Sequence, residues 1–109
     1  MIKTTRYAVA IGTAVFSLTT IAQDFYITGP NYFGCIDKEK HNSLVSMIVQ
    51  NDTQAFTKGL GKAIKNGACI RFPQGKRVFG LDVEITTGLI RIRPEGSDIA
   101  YWTVRQAIK

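Results

Sequence analysis

Histidine occurs once in this chain, as His41, tryptophan once, as Trp102, and cysteine twice, as Cys35 and Cys69. These shortages exclude several chemistries. A zinc site draws three or four ligands from His, Cys and carboxylate side chains at close spacing, and one histidine beside two oxidised cysteines leaves no such set. The cysteines form no Cys-x-x-Cys step, so a dithiol redox role lacks its motif. Asp37, His41 and Ser43 fall in one helical stretch, but a serine two positions from the histidine faces another side of the helix, so no Ser-His-Asp relay forms. Asp37 and His41 read as a surface helix pair. Gly59-Leu60-Gly61 lies inside a helical pattern and lacks the lysine-serine/threonine signature of a phosphate loop. Asp82 and Glu84 share a strand face with nothing to make them an acid/base pair. No catalytic residue, metal or cofactor is expected.

Long apolar runs are scarce too. The one such stretch is residues 7–18, preceded by Lys3 and Arg6 and followed by Thr20-Ile21-Ala22, small residues at the −3 and −1 positions of a cleavage point before Gln23. Gly12, Thr13 and Ser17 interrupt the run, which falls short of the roughly 20 apolar residues a membrane span requires. We therefore expect residues 1–22 to be a cleaved signal peptide, residues 23–109 a single domain, and the location periplasmic or secreted. Gln23, not cysteine, follows the cleavage point, which argues against a lipid anchor. Without Lys3 and Arg6, 12 of the 14 basic residues remain against 8 acidic ones, a net of +4. A domain of this size buries a limited core and usually needs a staple. In an exported chain, Cys35 and Cys69 read as one disulfide.

The richest part of the sequence is residues 69–104. Apolar runs alternate there with turn clusters at Pro73-Gln74-Gly75, Thr86-Thr87-Gly88 and Pro94-Glu95-Gly96-Ser97. The pattern predicts antiparallel strands over 68–72, 77–84, 89–93 and 99–104, with residues 24–28 joining as a first strand and 105–109 making a final turn. Phe25, Tyr26, Tyr32 and Phe33 read as core and sheet packing rather than as a platform for stacking glycans or peptides. Two helices precede the sheet, over 38–50 with Asp37 as N-cap and over 53–65 with Asp52 as N-cap. Leu44, Val45 and Ile48 make one stripe, with His41 one turn before them. Phe56, Leu60, Ala63 and Ile64 make a clearer one, expected to pack on the sheet near Ile90, Ile92 and Trp102. Lys58, Lys62 and Lys65 take the outer face of the second helix, and Asn66-Gly67 stops it. The cysteines bracket both helices.

Arg91 and Arg93 alternate along one strand, Arg77 lies on the next, and Tyr101 and Trp102 come from a neighbour. We read Arg77, Arg91, Arg93, Tyr101 and Trp102 as a basic, aromatic binding face, only partly offset by Asp82, Glu84 and Glu95. Export argues against nucleic acid as its partner. An envelope protein with an acidic surface fits first, and an acidic polymer or lipid headgroups second. An inhibitor or toxin-like effector that presents the 73–77 or 94–98 turn is the other class to weigh.

Residues 75–78, 88–92 and Tyr101-Trp102-Thr103 resemble the strand steps of bacterial SH3-like small barrels. The chain from residue 23 also resembles a group of small exported proteobacterial proteins. Gly34-Cys35, Asp52 with Ala55-Phe56, Gly67 with Cys69, Gly75 with Val78, Arg93-Pro94-Glu95-Gly96 and Tyr101-Trp102-Thr103 carry that likeness. The sequence thus reads as an α+β fold in which a helical hairpin packs on a small antiparallel sheet of four to five strands, pinned by one disulfide, and the resemblance implies that this sheet is SH3-like. Fold likeness alone carries no binding residues across. The two helices before the sheet depart from an ordinary SH3 domain, so no ligand groove is transferred.

Overall fold

The computed structural model describes residues 23–109; the expected signal peptide and its cleavage point lie outside the described residues. In chain order come β1 (Gln23–Tyr26), β2 (Phe33–Cys35), α1 (Lys38–Val49), α2 (Thr53–Lys65), β3 (Cys69–Arg71), β4 (Arg77–Glu84), β5 (Leu89–Pro94) and β6 (Tyr101–Val104), then a 3-10 turn over Arg105–Ala107. The class is α+β. The sheet has six strands rather than four to five, all antiparallel, in the order β1-β4-β5-β6-β2-β3. The uncounted strand is β2. Three residues with a glycine in the middle are too few for a period-two pattern to register.

The end of the chain folds back on its beginning. Ile27 bridges Ile108. Tyr26 and Lys109 exchange backbone hydrogen bonds of 2.9 and 3.1 Å, and Thr28 N–H donates to the Ala107 carbonyl at 2.8 Å. The strands β1, β4, β5 and β6 thus curl until the last residues meet the far side of β1, which protects a sheet edge that would otherwise stand open. Inside the curl lies one core of Ile27, Phe72, Val78, Ile90, Ile92 and Tyr101.

A second core lies on the other face of the β2–β3 hairpin, where Phe33, Cys35 and Cys69 meet Leu44 of α1 and Leu60 and Ala63 of α2. This corrects the packing expected from sequence. The α2 stripe rests on the β2–β3 hairpin and its disulfide, not on Ile90, Ile92 and Trp102. Both helices are strung between two adjacent strands whose Cys35 and Cys69 stand directly opposite and are disulfide-bonded, so the helices fold back on that hairpin. The hairpin serves both cores by alternation. Gly34, between Phe33 and Cys35, faces inward, and a Cβ there would sit 2.6 Å from Phe72 Cζ and 3.0 Å from Tyr101 Cβ. Only glycine lets the core inside the curl close against this strand.

Capping fixes the helices. Asp37 and Asp52 side chains accept the N–H groups of Glu39 and Ala55 at 3.2 and 3.1 Å. Each helix ends in a paired reverse bond: Asn51 N–H to Ile48 O and Asp52 N–H to Met47 O after α1, Gly67 N–H to Ile64 O and Ala68 N–H to Ala63 O after α2. That arrangement needs a residue with positive φ just past the helix, and Asn51 (φ 59°) and Gly67 (φ 82°) supply it. Asp52 closes one helix and opens the next.

The strand β4 is irregular. Its pairing with β5 shifts register between Gly80 and Asp82, and β1 pairs with it only as far as Gly80. Beyond that bulge Asp82 and Glu84 alternate with Val83, as the spacing predicts. However, Leu81 and Val83 are exposed and Ile85 is 89% exposed, although Ile90, opposite Val83, belongs to the core inside the curl.

Candidate functional site

The strands β4, β5 and β6 bring most of the expected face together. Phe79 stands opposite Arg93, and Asp82, Arg91 and Trp102 form a row across the three strands. Directly opposed residues share a face. Cations lie over the two rings: Arg93 and Arg77 at 4.8 and 5.2 Å from the centre of Phe79, Lys38 and Arg91 at 5.2 and 6.0 Å from Trp102. Arg77, Arg91, Arg93 and Trp102 therefore belong to one surface. Tyr101 does not. It points the other way and is buried in the core inside the curl against Phe72, as period two requires of a strand neighbour of Trp102. Lys38 and Phe79 are the members that sequence spacing did not bring in.

The charge on this face is balanced. Arg77 lies between Asp24 at 2.5 Å and Glu95 at 3.3 Å, Arg91 meets Asp82 at 2.6 Å, and Lys38 pairs with Glu84. Arg93 donates to the Ser97 carbonyl at 3.0 Å and, among the described residues, meets no carboxylate. Asp24 supplies the acid that the sequence pattern could not place beside Arg77, because the two are joined only by the β1–β4 pairing. Hydrogen bonding to Glu84 raises the Lys38 pKa, Lys38 and then Thr87 lower that of Glu84, and Asp24 holds Arg77 more firmly protonated. Such exposed pairs add little stability, but they hold long side chains in one arrangement. Further cations that, among the described residues, have no acid partner lie elsewhere: Lys58, Lys62 and Lys65 are exposed on α2, a helix with no acidic residue.

A second feature lies between α1 and the strands β2 and β6. Two adjoining cavities of about 230 and 360 Å³ share Asn31, Phe33 and Ile48. The inner one is also lined by Tyr32, His41, Val45, Thr103 and Val104. The outer one adds Asn51, Thr53 and Phe56. His41 is thus no surface partner of Asp37. It is 1% exposed, its ring lies 5.2 Å from that of Phe33, and its Nδ1 has no hydrogen-bond partner. The Asp37 carboxylate caps the helix instead. The sequence did hold a signal: His41 stands three and seven positions before Leu44 and Ile48, in line with the apolar stripe. Thr103, also buried, is satisfied by donating its hydroxyl to the Phe33 carbonyl at 2.8 Å.

No protein-family model, curated protein or solved structure matches this chain. Among the described residues no helix is long and apolar enough to cross a membrane.

Burial lowers the His41 pKa from its ordinary 6.5, against a smaller opposing effect of the Asn42 side chain. The folded protein therefore favours neutral imidazole. Its contribution to stability is complete above pH 6.5 and is lost as the pH falls below that value towards the lowered folded pKa. Glu84 and Asp37, whose pKa values are lowered from 4.5 and 3.8, act only in more acid solution. Urea midpoints should fall between pH 6.5 and 5 in the native protein and stay level in His41→Leu. A native midpoint that is flat over this interval would show that His41 is solvated.

Proposed function

We propose that the chain is a small exported, disulfide-pinned, non-catalytic binding module of the bacterial cell envelope that contacts a protein partner through the outer face of β4, β5 and β6. The observation that carries this reading is the set of arginines lying over Phe79 and Trp102. Arginine and large aromatics are the residue types that dominate binding energy at protein interfaces, and their ion pairs hold them in place before a partner arrives. Acidic groups on the partner would compete for Arg93 first, since it lacks a carboxylate of its own. The SH3-like reading gains support from the strand circuit. β1, β4, β5 and β6 follow one another, a 3-10 turn follows β6, and the last residues return to β1. On that reading β2, the two helices and β3 are an excursion between the first and second barrel strands.

Arg91→Glu with Arg93→Glu should leave the fold intact, weaken capture of the partner from a periplasmic extract, and flatten the salt dependence of capture. The reading fails if the folded double variant captures the same partners at every salt concentration. A second reading, an acidic envelope polymer, is favoured by the unpaired Lys58, Lys62 and Lys65. It requires capture to survive the arginine changes and to disappear on Lys62→Glu with Lys65→Glu.

A further inference from the structure

The stop after α2 holds the one Asn-Gly step of the chain, Asn66-Gly67. In a flexible chain that step is chemically weak. The Gly67 nitrogen attacks Asn66 Cγ, the Cγ–Nδ2 bond breaks, and ammonia leaves with the proton that the glycine nitrogen gives up. Water then opens the succinimide at either carbonyl, which yields aspartate or isoaspartate. Glycine has no Cβ to obstruct the approach of its nitrogen, whereas Asn31, Asn42 and Asn51 are followed by Tyr32, Ser43 and Asp52. Asn66 and Gly67 are both exposed, so burial does not shield them. Geometry does. The five-membered ring closes only when Gly67 N is eclipsed with Asn66 Cβ about the Cα–C bond. Asn66 has ψ 6°, which eclipses Gly67 N with the Asn66 nitrogen instead and turns it away from Cβ. Rotation about ψ would break the helix stop. Gly67 N–H donates to Ile64 O at 3.1 Å and Ala68 N–H to Ala63 O at 2.8 Å, and Asn66 Oδ1 accepts from Ala68 N–H at 3.1 Å. The residues that follow are pinned as well, since Ala68 O accepts from Ile36 N–H at 2.9 Å and Cys69 is bonded to Cys35.

We propose that Asn66 is a deamidation site that the folded chain holds shut and that loss of the Cys35–Cys69 disulfide opens. The disulfide keeps the residues after Gly67 in place, and the hydrogen bonds of the helix stop keep ψ of Asn66 from turning. The reaction leaves a covalent mark on chains that have opened. Isoaspartate carries the main chain through Cβ and so adds a methylene between α2 and Cys69. Either product places a carboxylate at the C-terminal end of α2, where the helix dipole favours cations such as Lys62 and Lys65. A marked chain therefore regains the α2 stop, and with it the opposed register of the cysteines, less readily than a fresh one.

The test incubates residues 23–109, which carry both cores, at mildly alkaline pH in three states: oxidised and folded, reduced with dithiothreitol, and oxidised but unfolded in guanidinium chloride. Peptide mapping by mass spectrometry then separates asparagine, aspartate and isoaspartate at position 66. In the unfolded chain, isoaspartate should form at Asn66 before any product forms at Asn31, Asn42 or Asn51. The folded, oxidised chain should react at least about tenfold more slowly, since a reaction through an opened state scales with the population of that state. The reduced chain should approach the unfolded rate. Equal rates in the folded and unfolded chains overturn the proposal, and a reduced chain as slow as the oxidised, folded one overturns the part given to the disulfide. An Asn66 that yields aspartate without isoaspartate, or that reacts after another asparagine in the unfolded chain, also overturns it. These outcomes leave the sheet-face reading untouched, since that face shares no residue with this turn.

Discussion

Replacing both cysteines, as Cys35→Ala with Cys69→Ala, should produce the largest loss of stability available from a surface-neutral change. The disulfide closes a loop with a sequence separation of 34 residues, for which the chain-entropy model gives about 3–4 kcal/mol. Both cysteines are fully buried in the helix-side core, so the alanines also forfeit packing. A domain of this size is expected to hold about 5–10 kcal/mol in total, and each kcal/mol moves the melting point of so small a domain by about 4–8 °C. Thermal unfolding of the double variant should therefore begin at or below 37 °C, or the protein should be unfolded from the start. A midpoint within a few degrees of the native value would mean that the two helices hold the hairpin together unaided.

Leu60→Ala should come next, at about 3–5 kcal/mol. Leu60 is 0% exposed and sits where α1, α2 and the β2–β3 hairpin converge. Phe56, the larger side chain and the obvious anchor on sequence grounds, is only half-buried at the margin of that core and lines the outer cavity. Its replacement by alanine should cost less, about 1–2 kcal/mol from the apolar area it covers. Denaturant titration of the two variants decides the order. If Phe56→Ala proves the more damaging, the helices sit closer to the groove than described and the cavities there are smaller.

Much of the fold could be read from local signals. Aspartates at 37 and 52 and the Asn66-Gly67 stop set the helix bounds to within a residue, because capping is a contact between near neighbours in sequence. The span of β4 followed from a turn cluster on either side. What escaped reading was long-range. The pairing of β2 with β3 and β6 depends on partners far away in the chain, and so does the meeting of Asp24 with Arg77. The misplacement of Tyr101 differs in kind: strict alternation already assigns it and Trp102 to opposite faces. His41 was read through its charged neighbour Asp37 instead of through the apolar stripe it continues. The groove beside α1, which His41 lines, is legible only from that stripe.

The opposed pair Cys35 and Cys69 also bears on how such a chain can diverge. Everything between them, both helices included, hangs from a base locked by a covalent bond, while β1, β4, β5 and β6 find their partners outside that loop. Lengthening or shortening the excursion adds little closure entropy, since the dependence on loop length is logarithmic. Lineages descending from a common ancestor of this fold should therefore keep the register of the curled strands and vary in helix length and surface. Insertions should gather around residues 50–52, the turn midway along the loop from its covalent base, where a new segment changes the groove without rethreading the curled strands.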